Sequence, residues 1–491
     1  MKITLLLLAV ILPLSGTIGA APALPDQAPS DPAEEAARFA SVTGQVDLGG
    51  VVFGYLSVDG DLTAIGKYAN SFLDEMRKIQ PDVPPVNVSA LLKITGLDAI
   101  SALGFSSVAT ADGFRNKTYV HTPKGRRGLL RLMGGESKPF EVVALAPAGS
   151  DLVIEQDFNL KTLYESVLEA AGLAMGEQGK AMVQMALKQP MPPPITFTME
   201  KVMADLDTKL TVIIDADPTK TMQLPDAPKE LKIPQLKGAV LIDGLGWIAD
   251  ELTKVLEPML AQGGKRKPPF KILRNANWVG MQLDLISASA ASEREKKEIS
   301  ELGLETALLV HHVPSGKLVW ASGKEFADKL FAPKPGLGQD PAFQKTMKGL
   351  PMEGTSLTYA SPAFFSSLRQ SFEKLNELAN DKEHEQDDRF IATTFINFLL
   401  PKNVRGEGSV TTNTKDGTLT ISNSAHSHKT SLITGVASPV VMMIGAAAYR
   451  TNIVLEEMDF QMDFPEAEQI IEEVEHEHRS RPNRNFDKIG D

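Results

Sequence analysis

The 491-residue chain has no cysteine, which excludes disulfides, thiolate zinc sites and cysteine nucleophiles. Basic residues are outnumbered: 50 Lys+Arg against 62 Asp+Glu leave a net charge of −12, a poor match to a phosphate backbone, so no nucleic-acid partner is expected. Long apolar runs are confined to two places, which excludes a multi-span membrane protein. The chain also lacks G-x-S-x-G, H-E-x-x-H, a G-x-G-x-x-G fingerprint and a Walker phosphate loop, so common serine-hydrolase, zinc-protease and nucleotide signatures are missing. With 43% apolar and 23% charged residues, the rest is ordinary globular protein, neither disordered nor collagen-like.

The first apolar run lies near the start. Lys2, the stretch Ile3–Leu14 and then small residues up to Ala23 have the layout of a secretory signal, so residues 1–23 are expected to direct export to the periplasm or cell envelope. No cysteine follows for a lipid anchor. Residues 24–44, rich in Pro, Ala, Asp and Glu, read as a flexible leader. The second run is Ser431–Tyr449, uncharged between Lys429 and Arg450. Gly435, Pro439, Gly445 and several alanines dilute it, so the segment 431–455 reads as either a buried helix or a membrane anchor. Residues 456–491 form an acidic tail.

Between these ends, strand and helix patterns alternate. Val51–Val58 reads as a strand and Leu62–Met76 as an amphipathic helix. Ser106–Ala111 with Lys117–His121, Ala307–His312 with Lys317–Ala321, and Gly408–Thr412 with Thr418–Ser422 read as hairpins around short polar turns. Val142–Leu145, Leu152–Glu155, Leu210–Asp215 and Gly238–Ile242 read as further strands. Asn159 should cap a helix ending at Gly172; Leu245–Leu260, Pro362–Leu378 and Asp388–Leu399 should be helices. Hairpins require antiparallel pairing, so the expected class is α+β: antiparallel sheet with packed helices. The proline-punctuated stretch Asp217–Leu236 suggests a first domain over 45–225 and a second over 226–430. Val51–Asp61 looks like Gly238–Trp247, and Ala146–Leu163 looks like Leu350–Leu368, which suggests two related halves.

Lys317–Ser322, Phe326, Leu330, Asp340-Pro341-Ala342-Phe343, Leu350-Pro351 and Tyr359 follow one another as a strand, a helix, a D-P-x-F helix, L-P and a strand with Tyr. Over residues 317–368 that order resembles uncharacterised bacterial envelope proteins defined only by a domain of unknown function. Gly96-Leu97-Asp98 and Lys124–Leu130 resemble related exported proteins. The resemblance implies export and an α+β repeat architecture, and it implies no catalytic residues.

Candidate chemistry is sparse. The histidines are His121, His311, His312, His384, His426, His428, His476 and His478; neither His426-Ser427-His428 nor His476-Glu477-His478 has a matching ligand set nearby, so no metal is expected. Ser371 and Lys374 match S-x-x-K without its companion elements. Met175, Met182, Met185 and Met191 fit core filling in amphipathic helices. Two basic clusters stand against the acidic whole: Lys124, Arg126, Arg127 and Arg131, and Lys265, Arg266, Lys267, Lys271 and Arg274. Gly125 and Gly128 frame the first, whose arginine forks suit phosphate or carboxylate, so it is the candidate anion site. The expectation is a non-enzymatic exported binding or interaction module without a cofactor, with an envelope protein or lipid as partner and membrane association through Ser431–Tyr449 left open. A hydrophobe carrier and, behind it, an envelope hydrolase are the alternatives.

Overall fold

The computed structural model describes residues 31–81, 83, 86–191, 195, 197–203, 207–223, 232–261, 269–288, 296, 299–300, 305–380 and 404–430. The signal-like segment, the helix expected at 388–399, the apolar segment 431–455 and the acidic tail lie outside them. The chain parts into two units, up to Thr430 and from Ser431; all described residues belong to the first.

In chain order this unit contains α1 (Pro32–Thr43), β1 (Val52–Ser57), α2 (Asp61–Ile79), α3 (Val88–Thr95), β2 (Ala102–Thr110), β3 (Gly113–His121), β4 (Lys138–Pro139), α4 (Val142–Leu145), β5 (Leu152–Asn159), α5 (Leu160–Lys188), α6 (Met199–Met203) and β6 (Asp207–Gln223). There follow β7 (Lys232–Ile242), α7 (Gly246–Ala261), β8 (Phe270–Arg274), β9 (Trp278–Asp284), α8 (Leu285–Ala288), β10 (Thr306–His312), β11 (Lys317–Ala321), α9 (Lys324–Phe331), α10 (Pro341–Thr346), β12 (Glu353–Gly354), β13 (Ser356–Ala360), α11 (Pro362–Asn380), β14 (Glu407–Thr414) and β15 (Gly417–Ser424). Thirteen strands form one sheet in the order β1-β2-β3-β15-β14-β13-β5-β6-β7-β11-β10-β9-β8, and β4 pairs separately with β12. Neighbours run antiparallel throughout, as the hairpin patterns require, so the protein is α+β.

Strands from both sequence halves alternate in this sheet. At its centre β5 pairs with β13, Val153 opposite Tyr359. The boundary expected at 225/226 falls between β6 and β7, which are paired from Leu210/Ile242 out to Gln223/Lys232. Pro234 does not stop pairing: it lies opposite Thr221, just past a register shift between Asp217 and Thr221. The main core lies on one face of the sheet, where Val153, Ile213, Leu241, Val310, Val319 and Leu357 meet Val142 of α4, Phe326 and Leu330 of α9 and Phe343 of α10. The other face carries α7, whose Ala249 packs with Leu245 and Leu318.

Four local expectations are corrected. Pro32–Thr43, placed in a flexible leader, is helical: Asp31 caps it by accepting from Ala33 N at 2.9 Å, and Val42 is buried. Val142–Leu145 is a helical turn rather than a strand, because Glu155 of β5 accepts from Val142 N at 2.6 Å and starts the turn. Asn159 does cap α5, accepting from Thr162 N at 2.7 Å, but its first arm continues past Gly172. It stops at a non-helical break at Gly176, whose φ of 66° and ψ of −157° suit a residue without a Cβ, and a second helical arm runs from there to Lys188. Met175, Met182 and Met185 on its two arms are exposed, not core filler.

A candidate anion-binding groove

The sequence-predicted basic clusters do not converge. Arg126 spends its guanidinium on its own loop, donating to the carbonyls of Leu130 (3.3 Å), Gly134 (2.9 Å) and Gly135 (3.2 Å). Burial and neighbouring Arg131 push its pKa down. Arg127 lies 3.8 Å from Asp98, and Lys124 is exposed. Arg131 borders a small polar hollow of about 210 Å³ with Lys93, Glu165 and Glu169. In the second cluster, Lys265, Arg266 and Lys267 lie outside the described residues, and Arg274 on β8 pairs with Glu257 at 3.1 Å.

His384, His476 and His478 lie outside the described residues; His121, His311, His312 and His428 make structural contacts. His311 and His312 take opposite faces of β10, as strand geometry requires. His311 Nδ1 lies 2.9 Å from Asp250 of α7, whereas His312 stacks on Phe331 at 3.7 Å between ring centroids. His428 sits edge-on to Phe105, with Nε2 3.3 Å from Lys117 O. His121 stands between Ser101 (2.7 Å) and Ser41 (3.3 Å). Burial pushes the pKa of His121, His312 and His428 down, so all three favour the neutral ring. Ser371 Oγ donates to Ser367 O at 2.9 Å, a helix-internal bond rather than an activated nucleophile. Among the described residues no group of three His, Asp or Glu could hold a metal, and no helix is long and apolar enough to cross a membrane.

A buried charge network lies under α4. Lys209 of β6 reaches Glu155 at 3.0 Å and Glu141 at 3.1 Å; Lys317 of β11 reaches the other oxygen of Glu141 at 3.1 Å and also pairs with Asp243. The Glu155 side chain is only 3% exposed. Its partners push Lys209 up against the opposing effect of burial, and the two lysines pull Glu141 down. Burial pushes neighbouring Asp157 up. Lys209, Lys317, Glu141, Glu155 and Asp243 each have a partner of opposite charge, so the network clamps α4 to the sheet.

The groove that sequence reading missed lies where the β2–β3 turn, the end of α10 and the segment before β14 meet. It encloses about 530 Å³ and is lined by Arg115, Lys345, Lys348 and Arg405, with Asp112 as its one acid among the described residues. Arg115 Nη2 donates to Lys348 O at 3.0 Å and Nε to Asn423 Oδ1 at 3.5 Å. Asn423 donates in turn to Thr346 O (2.8 Å) and Lys348 O (3.1 Å), so β3 and β15 together hold the loop after α10. Arg405 is tied to the hairpin turn through Ala111 O at 3.2 Å. Lys345 lies 3.4 Å from Asp112, both well exposed. Among the described residues no carboxylate pairs with Arg115, Lys348 or Arg405.

Sequence order explains the scaffold. Asp340 caps α10 by accepting from Ala342 N (2.7 Å) and Phe343 N (3.0 Å), with Pro341 at the first helical position. Phe343 is buried edge-on to Tyr359 and anchors the helix. Gly349 has φ +76°, and a Cβ there would stand 2.4 Å from Arg115 Nη2, so only glycine lets the guanidinium lie along this loop. No local run announces the cations: residues 115, 345–348 and 405 meet only because β15 pairs with β3.

No family model matches the chain, and no curated protein or solved structure matches it.

Proposed function

We propose that this chain is a non-enzymatic binding module of the periplasm or cell envelope that recognises an anionic partner through the Arg115–Arg405 groove. The carrying observation is that four cations from three distant segments line one concavity of an acidic protein, three of them without a carboxylate partner among the described residues. Such a focus raises the local concentration of anions and steers their approach. Export rests on the layout of residues 1–23, in keeping with the likeness over 317–368. The test is binding of the full chain to three anionic probes: inorganic phosphate, phosphatidylglycerol vesicles and labelled hexaglutamate. At least one should bind in a salt-sensitive, saturable way, and Arg115→Gln with Arg405→Gln should abolish it; binding by none would end this reading.

The exposed apolar faces of α2 (Ile65, Tyr68, Phe72, Ile79) and α5 (Leu173, Met175, Met182, Met185) favour the hydrophobe carrier as a second reading. Mass spectrometry of lipids extracted from the purified chain decides it, with stoichiometric lipid supporting a carrier and its absence refuting one.

A further inference from the structure

The buried charge network and the open groove occupy corresponding places in the sheet. Outward from the central β5/β13 pair the strands run β5-β6-β7-β11-β10-β9 on one side and β13-β14-β15-β3-β2-β1 on the other. On each side the central strand leads through a helix to its neighbour, the next two strands form a hairpin, and a second hairpin follows. Asn159 and Ser361 mark equivalent points: each side chain accepts from the backbone N–H three residues on, at 2.7 Å and 2.9 Å, and starts the helix after its central strand. Counting the hydrogen-bond registers outward from these caps puts Ile242 where Ser422 stands and Leu318 where Asn116 stands. Lys317 therefore corresponds to Arg115, and Asp243 to Asn423. The side-chain contacts agree: Lys317 bonds Asp243, and Arg115 bonds Asn423.

The comparison isolates what the groove lacks. Around Lys317 two carboxylates are built in, Asp243 and Glu141. Around Arg115 the first is replaced by the neutral amide of Asn423. The second has no counterpart: among the described residues no carboxylate pairs with Arg115, and the backbone of the loop after α10 lies there instead, Lys348 O accepting from its guanidinium at 3.0 Å. The groove meanwhile gains Lys348 and Arg405. A cationic strand position that one half of the sheet neutralises from within is left to be neutralised from outside in the other.

We infer that the groove takes carboxylates, presented by an acidic peptide segment of a partner protein, which neutralise Arg115 as Asp243 and Glu141 neutralise Lys317 in the other half. This rests on the binding reading above and names its ligand class. Guanidinium and ammonium groups arranged around a missing carboxylate suit a charge-assisted contact of the kind Lys317 already makes.

The test is fluorescence anisotropy of labelled hexaglutamate with the full chain, alongside phosphate competition and flotation with phosphatidylglycerol vesicles. The peptide should bind saturably, and phosphate should compete weakly. Arg115→Gln should weaken binding roughly ten- to a hundred-fold, the loss of one charge-assisted bond. Ala342→Glu should block binding by supplying a carboxylate from the groove wall, and Lys78→Gln on α2 should change nothing. Circular dichroism checks that each variant folds, and Arg405→Gln replaces Arg115→Gln if that chain does not. Peptide binding that ignores these groove substitutions overturns the assignment. Arg115-dependent binding of phosphate or vesicles without peptide binding overturns the carboxylate class while leaving the anion-binding function standing. Binding of no probe overturns both.

Discussion

Replacing Lys209 with methionine removes a charge from the most enclosed ion network of the sheet while keeping a chain of similar length. The Lys209 and Glu155 side chains are 10% and 3% exposed and 3.0 Å apart. Removing one partner of a buried pair costs about 3–5 kcal/mol, because the other charge is left without its counter-ion. The low end applies here. Glu155 keeps the Val142 N–H at 2.6 Å, and Glu141, with 56% of its side chain exposed, keeps Lys317 at 3.1 Å. The expected loss is about 3 kcal/mol, read as a fall of about 1 M in the urea midpoint for a slope near 3 kcal/mol/M. Pairing Lys209→Met with Glu155→Met should recover much of it, giving a coupling of about 2 kcal/mol in a double-variant cycle. The pH dependence has a definite sign. Lys209 is raised above 10.5 in the fold, so its contribution is complete below that pH and fades as pH rises through the folded value. Glu141 is lowered below 4.5, so its contribution is present above 4.5 and lost as pH falls through the folded value. The gap between wild type and variant should therefore be flat from about pH 5 to 10 and narrow in acid. A loss below about 1 kcal/mol, or strict additivity in the cycle, would refute the clamp as the reason α4 forms.

Other consequences follow from the same geometry. Asp340→Ala removes a cap that also accepts from Gly149 N at 2.8 Å, and should cost about 1–2 kcal/mol in chemical denaturation. Gly349→Ala forces a Cβ against the Arg115 guanidinium and should reduce anion binding more than it lowers Tm; an unchanged affinity would show that Arg115 does not need this loop. The lowered pKa values of His121, His312 and His428 mean that the unfolded chain takes up protons first as pH falls below 6.5. Thermal stability should fall between pH 7.5 and 5.5, and less steeply in His121→Gln, as scanning calorimetry at both pH values would show.

Local features announced themselves because their signals are local. The turns at Pro314–Gly316 and Lys415–Gly417 delimit hairpins that the sheet contains, and the apolar spacing of Leu245–Leu260 matches α7. Asn159 marks the start of α5 and Asp340 with Pro341 the start of α10, since a cap is decided by a few neighbouring residues. The errors arose where a distant group decided. Val142–Leu145 has the composition of a strand and became a helical turn because a carboxylate thirteen residues later on β5 accepts its first N–H. Gly172 looked like a helix stop, yet the chain reverses at Gly176 instead.

The same division separates composition from site. By itself the sequence determined the α+β class, the antiparallel pairing, the absence of thiol chemistry and the net negative charge. It also showed basic residues in runs, and those runs drew attention to Arg126, whose donors its own loop consumes. Only the tertiary structure decided which cations share a surface. Arg115, Lys348 and Arg405 are separated along the chain by hundreds or tens of residues, and they meet because β15 lies between β3 and β14. Strand order in a large antiparallel sheet depends on which apolar faces bury together across the whole unit, a sum over distant contacts that no short window of sequence contains.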